Sequence, residues 1–204
     1  MLMKILTRTL FLVLLSISTN SYSVEITPIL GFRGGGDFTD TTNDSTHTVV
    51  ASEIYGLILG FPYERGKSIE VYYSHQSSQL NSINVEGQPD PVDIPLTIDY
   101  LHFGGTAPIS KQKDLETFVS GGLGFTYLSP DFPDTQSDLR ASFSLGIGLK
   151  WPITDSIALR LETRGLGTLF NSNSTIFCSG GCAINVSGSL FIQGEVFAGL
   201  AFKF

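Results

Sequence analysis

After residue 23, no stretch of this 204-residue chain approaches the roughly 18 consecutive apolar residues that a membrane-spanning helix requires. That excludes a helical membrane protein. Cysteine is almost absent: Cys178 and Cys182 are the only two, so no multi-disulfide scaffold or cysteine-rich metal centre can form. Spaced this closely in a secreted chain, they are expected to pair as a staple within one loop. Basic residues are also scarce, with 12 Lys and Arg against 19 Asp and Glu, and no nucleic-acid partner is expected. Phosphate-binding motifs are missing. Gly34-Gly35-Gly36 has no Gly-Lys-Ser/Thr after it, and Gly122-Leu123-Gly124 lacks a third glycine. Asp37, Asp40 and Asp44 do not follow the spacing of a calcium loop. No cofactor is expected.

What the chain does have begins with its first residues. Met1–Thr9 carries Lys4 and Arg8 without an acid, residues 10–17 (LFLVLLSI) are a short apolar core, and Ser21-Tyr22-Ser23 offers small residues where a signal peptidase cuts. Residues 1–23 read as a secretory signal peptide, and residues 24–204 as one domain. No cysteine lies near the cleavage point, so a lipid-modified N-terminus is not expected.

The dominant signal in residues 24–204 is alternation with period two, the mark of strands with one apolar face. Ala141, Phe143, Leu145, Ile147, Leu149 and Trp151 oppose Arg140, Ser142, Ser144, Gly146, Gly148 and Lys150. Leu190, Ile192, Val196, Ala198, Leu200, Phe202 and Phe204 oppose Gln193, Glu195 and Lys203. Eight such segments are predicted, at 24–36, 51–63, 68–78, 96–108, 115–128, 139–152, 157–170 and 189–204. Each has the ~10 residues that a tilted strand needs to cross a bilayer.

The connections alternate in length. Those at 37–50, 79–95, 129–138 and 171–188 are long; those at 64–67, 109–114 and 153–156 are short. The long ones hold Asp37, Asp40, Asp44, Glu86, Asp90, Asp93, Asp131, Asp134 and Asp138 and no Lys or Arg. Basic residues gather in the short turns, at Arg65, Lys67, Lys111 and Lys113. A soluble sandwich gives no reason to sort its loops this way. An all-β, eight-stranded antiparallel up-and-down transmembrane β-barrel does, with short periplasmic turns and long outer loops.

With these features the chain resembles the outer-membrane β-barrel family, and in particular its small eight-stranded, outer-membrane-protein-A-like domains. The Gly-rich strand from Phe118 to Phe125 and the ending from Glu195 to Phe204 carry the resemblance. It implies the cell outer membrane of a Gram-negative bacterium as location, with outer-membrane lipid and lipopolysaccharide as surroundings. It also implies recognition of Leu200, Phe202 and Phe204 by the barrel-assembly machinery. The acids of the outer loops read as solvated side chains, the alternative being that they take up divalent cations among lipopolysaccharide phosphates.

Eight strands enclose a lumen just wide enough for side chains. The alternation places Arg33, Arg140, Lys150, Arg160, Arg164 and Lys203 inward, with Glu25, Glu70, Asp99, Glu116, Glu162 and Glu195. Charges in so narrow a space must pair. The expectation is therefore a lumen plugged by an ion-pair network, a narrow pore being the alternative.

Function is less legible. The favoured reading is a non-enzymatic barrel with a structural, envelope or surface-interaction role through its loops. The competing one starts from Tyr73-Ser74-His75-Gln76-Ser77-Ser78, whose phase turns His75 and Ser77 to the lipid side. This resembles the His-x-Ser element of lipid A 3-O-deacylases, which implies His75 as base and Ser77 as nucleophile in a lipid hydrolase. It departs from that pattern in having Ser78 where those enzymes carry Asn, and in its early position in the chain. Glu86 is the nearest downstream acid.

Overall fold

The computed structural model describes residues 23–40, 45–83, 92–131, 135–170, 175–176, 184–185 and 190–204. In chain order the strands are β1 (Glu25–Gly34), β2 (Asp37–Asp40), β3 (Ser45–Thr48), β4 (Ser52–Pro62), β5 (Ser68–Ile83), β6 (Val92–Gln112), β7 (Leu115–Pro130), β8 (Asp138–Pro152), β9 (Ile157–Leu169), β10 (Thr175–Ile176), β11 (Ile184–Asn185) and β12 (Leu190–Lys203). Eight of them close into one antiparallel barrel, in the order β1-β12-β9-β8-β7-β6-β5-β4. The first and last strands make the seam, with Glu25 opposite Lys203 and Arg33 opposite Glu195. Closure removes the free sheet edges that would otherwise expose unpaired backbone groups. Two small ribbons, β2–β3 and β10–β11, stand apart from the barrel sheet at its long-loop end.

All eight predicted segments are strands. Several run further than the alternation indicated. β5 continues to Ile83 and β6 begins at Val92, so that hairpin extends well into the predicted loop 79–95. β6 also runs on to Gln112, leaving Lys113 and Asp114 as its connection to β7. Lys113 adopts a left-handed backbone with φ 54°, as the tight reversal requires. Residues 1–22 of the signal segment, Asp44, Glu86, Asp90, Asp134 and the pair Cys178 and Cys182 lie outside the described residues.

Polarity is distributed inside out. Leu123 is 72% exposed, Leu30 71% and Leu145 68%, whereas Arg33, Arg160 and Glu195 are buried. A water-soluble barrel would place its leucines in the lumen and its charges outside. The reversed arrangement is that of a barrel whose outer wall meets hydrocarbon.

The lumen is layered. At the long-loop end it is apolar, with Val49, Leu80, Ile94, Leu96, Ile98, Leu128, Phe170 and Phe191 all buried. Toward the short turns it is ionic. Arg160 bonds Glu70 through Nη1 at 2.7 Å and Nη2 at 3.0 Å, and Glu162 through Nε at 2.9 Å and Nη2 at 2.6 Å. Arg164 donates to Glu162 at 2.5 Å. Above this cluster, Arg33 donates to Glu195 through Nε at 3.0 Å and Nη2 at 2.8 Å, and Tyr72 donates to the other oxygen of Glu195. The guanidinium of Arg33 also lies over the Tyr100 ring at 4.6 Å.

Candidate functional site on the outer wall

One predicted lumen residue is not in the lumen. β6 turns Ile94, Leu96, Ile98, Tyr100 and His102 inward, which sends Asp99 to the outside of the barrel. The cause is the apolar upper layer, where a row of isoleucine, leucine and tyrosine fills the space better than a row containing Asp99. Both rows of β6 are rich in apolar residues, Leu101 and Phe103 being on the outer one, so alternation alone did not fix the phase.

The phase of the neighbouring β5 is held by its inward hydrogen bonds. Ser74 accepts from Arg33 Nη2. The Gln76 amide donates to the Arg33 carbonyl and to Ser52 Oγ, each at 3.0 Å. Ser78 donates to the Val50 carbonyl at 2.5 Å. With the even-numbered residues anchored inside, Tyr73, His75 and Ser77 stand outward on alternate positions.

In the β5–β6 register, His75 and Asp99 are direct partners. His75 Nδ1 lies 2.8 Å from Asp99 Oδ1, and His75 Nε2 lies 3.2 Å from Ser77 Oγ. Asp99 can only accept, so Nδ1 carries the imidazole proton and donates it. Nε2 is then left with its lone pair facing the Ser77 hydroxyl, which donates to it. Tyr73 donates to Asp99 Oδ1 at 2.9 Å, and the Tyr55 ring lies tilted against His75 with centroids 4.8 Å apart. The His75 and Asp99 side chains are about one-fifth exposed, and Ser77 is open to the outside.

Hydroxyl, imidazole and carboxylate are thus connected in the order that acyl-transfer enzymes use. The base can take the hydroxyl proton as Ser77 attacks, and the carboxylate stabilises the imidazolium that results. At 3.2 Å the imidazole Nε2 and the hydroxyl are at the edge of hydrogen-bond reach.

Height on the wall can be estimated from strand geometry. Ser77 lies nine residues above Ser68, the first residue of β5. At ~3.3 Å per residue and a tilt of ~40°, that is roughly 23 Å along the barrel axis, against an apolar band ~25 Å tall. Tyr55, Tyr73 and Tyr127 surround the site with rings turned outward; Tyr55 pairs in register with His75, and Tyr127 with Asp99.

The remaining candidates are dispersed. Glu86 lies outside the described residues, so Asp99 is the carboxylate seen at His75. Arg33, Glu70, Arg160, Glu162, Arg164 and Glu195 are buried in the lumen as described above. Lys150 pairs with Glu25 near the short-turn mouth, where Glu116 and Lys203 line a cavity of about 290 Å³. Arg140 pairs with Asp138 at the opposite end. Leu200 and Phe202 end the outer row of β12, and Phe204 follows the strand. Among the described residues no cluster of His, Cys, Asp and Glu could hold a metal ion.

No family model matches the chain, and no curated protein is similar to it in sequence. Solved structures are similar in fold. Neisserial surface protein A (NspA) superposes with a TM-score of 0.55 at 11% identity, over 89% of this chain and 97% of that one. The outer membrane protein OprG from Pseudomonas aeruginosa also gives 0.55, at 12% identity, over 90% and 96%. At this identity the likeness concerns architecture, that of small outer-membrane barrels, and function has to be argued from the site.

Proposed function

We propose that this chain is an integral outer-membrane barrel that hydrolyses acyl esters of outer-leaflet lipid, with Ser77 as nucleophile, His75 as general base and acid, and Asp99 as the carboxylate that orients His75. The carrying observation is the row Ser77–His75–Asp99, bonded end to end on the outer wall. Three polar groups on a lipid-facing surface are costly unless they pair or serve a function. Here they pair in the one order that activates a hydroxyl.

The site's height supports the choice of substrate. Ester carbonyls of membrane lipids lie at the boundary between headgroup and hydrocarbon, and the rise along β5 carries Ser77 close to that level. Below the site the outer wall is apolar, with Leu101 and Phe103 exposed on β6, so an acyl chain would remain in contact with hydrocarbon and side chains. Ser77 Oγ attacks the ester carbonyl and His75 Nε2 takes its proton. The tetrahedral intermediate then expels the alcohol, which leaves with that proton. Water, deprotonated by His75, hydrolyses the acyl-Ser77 ester to fatty acid and free Ser77. Lipid A is the ester-bearing lipid implied by the His-x-Ser resemblance. The lumen, filled by its own charges, takes no part in this chemistry.

We favour this reading over the non-enzymatic one because Asp99 stands bonded to His75 on the outer wall, where sequence offered only Glu86 as the acid. A fluorophosphonate probe tests it on the purified full-length protein. Labelling of Ser77, lost in both Ser77→Ala and His75→Ala, is expected. Equal labelling of wild type and Ser77→Ala would refute it.

A further inference from the structure

We infer that Tyr73 is a positioning residue for Asp99, which makes the row on the outer wall a four-membered chain. The inference rests on the hydrolase reading of Ser77 and His75. Tyr73 and His75 occupy successive outward positions on β5 and converge on one atom: Tyr73 Oη lies 2.9 Å and His75 Nδ1 2.8 Å from Asp99 Oδ1.

Asp99 needs such help because of where it stands. It faces hydrocarbon, where an ionised carboxylate is costly, and no guanidinium or ammonium group pairs with it among the described residues. The groups packed around it on the outer wall are Tyr73 and His75 of β5 and Tyr127 of β7, with Tyr55 and Glu53 beyond on β4. None carries a fixed positive charge. A neutral imidazole N–H alone is a modest donor. A second donor, from the phenol, fixes the carboxylate rotamer toward His75. An anionic Asp99 is what the imidazolium requires while Ser77 is being acylated. The Tyr73 hydroxyl bonds Asp99 and not Ser77, so it acts on the row through Asp99.

The test uses full-length protein in lipid vesicles, with a short-chain nitrophenyl ester as substrate. Hydrogen bonds to charged groups contribute ~1.5–3 kcal/mol, so Tyr73→Phe is expected to lower kcat about 10- to 100-fold with KM unchanged. Asp99→Asn is expected to lower it further. The double variant should be no slower than Asp99→Asn, since Tyr73 then has nothing to hold. The low-field proton resonance of His75 Nδ1–H, read by NMR on wild type and Tyr73→Phe, should move upfield in the variant. Full activity in Tyr73→Phe, a loss that multiplies in the double variant, or an unmoved His75 resonance would each overturn the inference. A wild type inert toward every ester would instead remove the hydrolase reading, and the resonance would still decide the link from Tyr73 to Asp99.

Discussion

His75 and Asp99 face each other as register partners across β5 and β6, and their side chains meet at 2.8 Å on the outside of a barrel whose lumen buries Arg33, Arg160, Arg164 and their carboxylate partners. The pair ties a short sequence element, His75-x-Ser77, to a carboxylate 24 residues away. From this arrangement and the lumen behind it follow four expectations that experiment can check.

Removing one member of the row should abolish turnover without unfolding the barrel. Ser77→Ala and His75→Ala are expected to lose about 10³- to 10⁴-fold in kcat, and Asp99→Asn a comparable amount, because an amide there favours the wrong imidazole tautomer. All three side chains face outward, so the heat-modifiable gel shift of the folded barrel should be retained. Glu53→Gln, on the outer row of β4 but outside the bonded chain, should keep wild-type rates.

The ionic layer should carry stability. Arg160 is buried and bonded to both Glu70 and Glu162. Arg160→Ala strands two carboxylates with Arg164 as their remaining partner, and removing one member of a buried pair costs ~3–5 kcal/mol. Urea unfolding in vesicles, followed by tryptophan fluorescence of Trp151, should show the loss. A change under ~1 kcal/mol would mean that water solvates the cluster.

The lumen should not conduct. Arg33, Tyr72, Tyr100 and Glu195 cross it at mid-height, and an apolar layer lies above them. Planar-bilayer recordings of the wild type are expected to show no stable open level. Steady conductance scaling with salt would establish the narrow pore instead.

Two glycines near each other should respond oppositely. A Cβ on Gly104 would lie 1.9 Å from the Gly121 carbonyl oxygen, which is backbone and cannot move aside, whereas a Cβ on Gly121 would meet Leu145 and the Ser144 carbonyl at 3.5 and 3.7 Å, ordinary contact distances. Gly104→Ala should impair assembly and Gly121→Ala should not, as read by the fraction of heat-modifiable barrel.

The barrel itself was legible because alternation, loop asymmetry and the basic turns all require the same architecture. Strand phase was readable where one row was plainly polar, as in β8 and β12. It failed in β6, where Ile94, Leu96 and Ile98 on one row compete with Leu101 and Phe103 on the other. That single ambiguity hid the site. With Asp99 assigned to the lumen, His75 and Ser77 had no acid but Glu86. The signal that resolves it was present: Ile94, Leu96, Ile98 and Tyr100 form an unbroken row of large residues, whereas the opposite row carries Asp99. Register across β5 and β6 was not readable, because a hairpin whose connecting residues leave its turn unspecified does not fix which residues face each other.

The most direct test of the account is the lipid product. Full-length wild type and Ser77→Ala should be reconstituted into vesicles containing lipid A and phospholipid, and fatty acids and deacylated lipids quantified by mass spectrometry. Wild type is expected to release one class of ester-linked fatty acid together with the matching deacylated lipid, and Ser77→Ala to release neither. Identical lipid profiles for the two proteins would contradict the account.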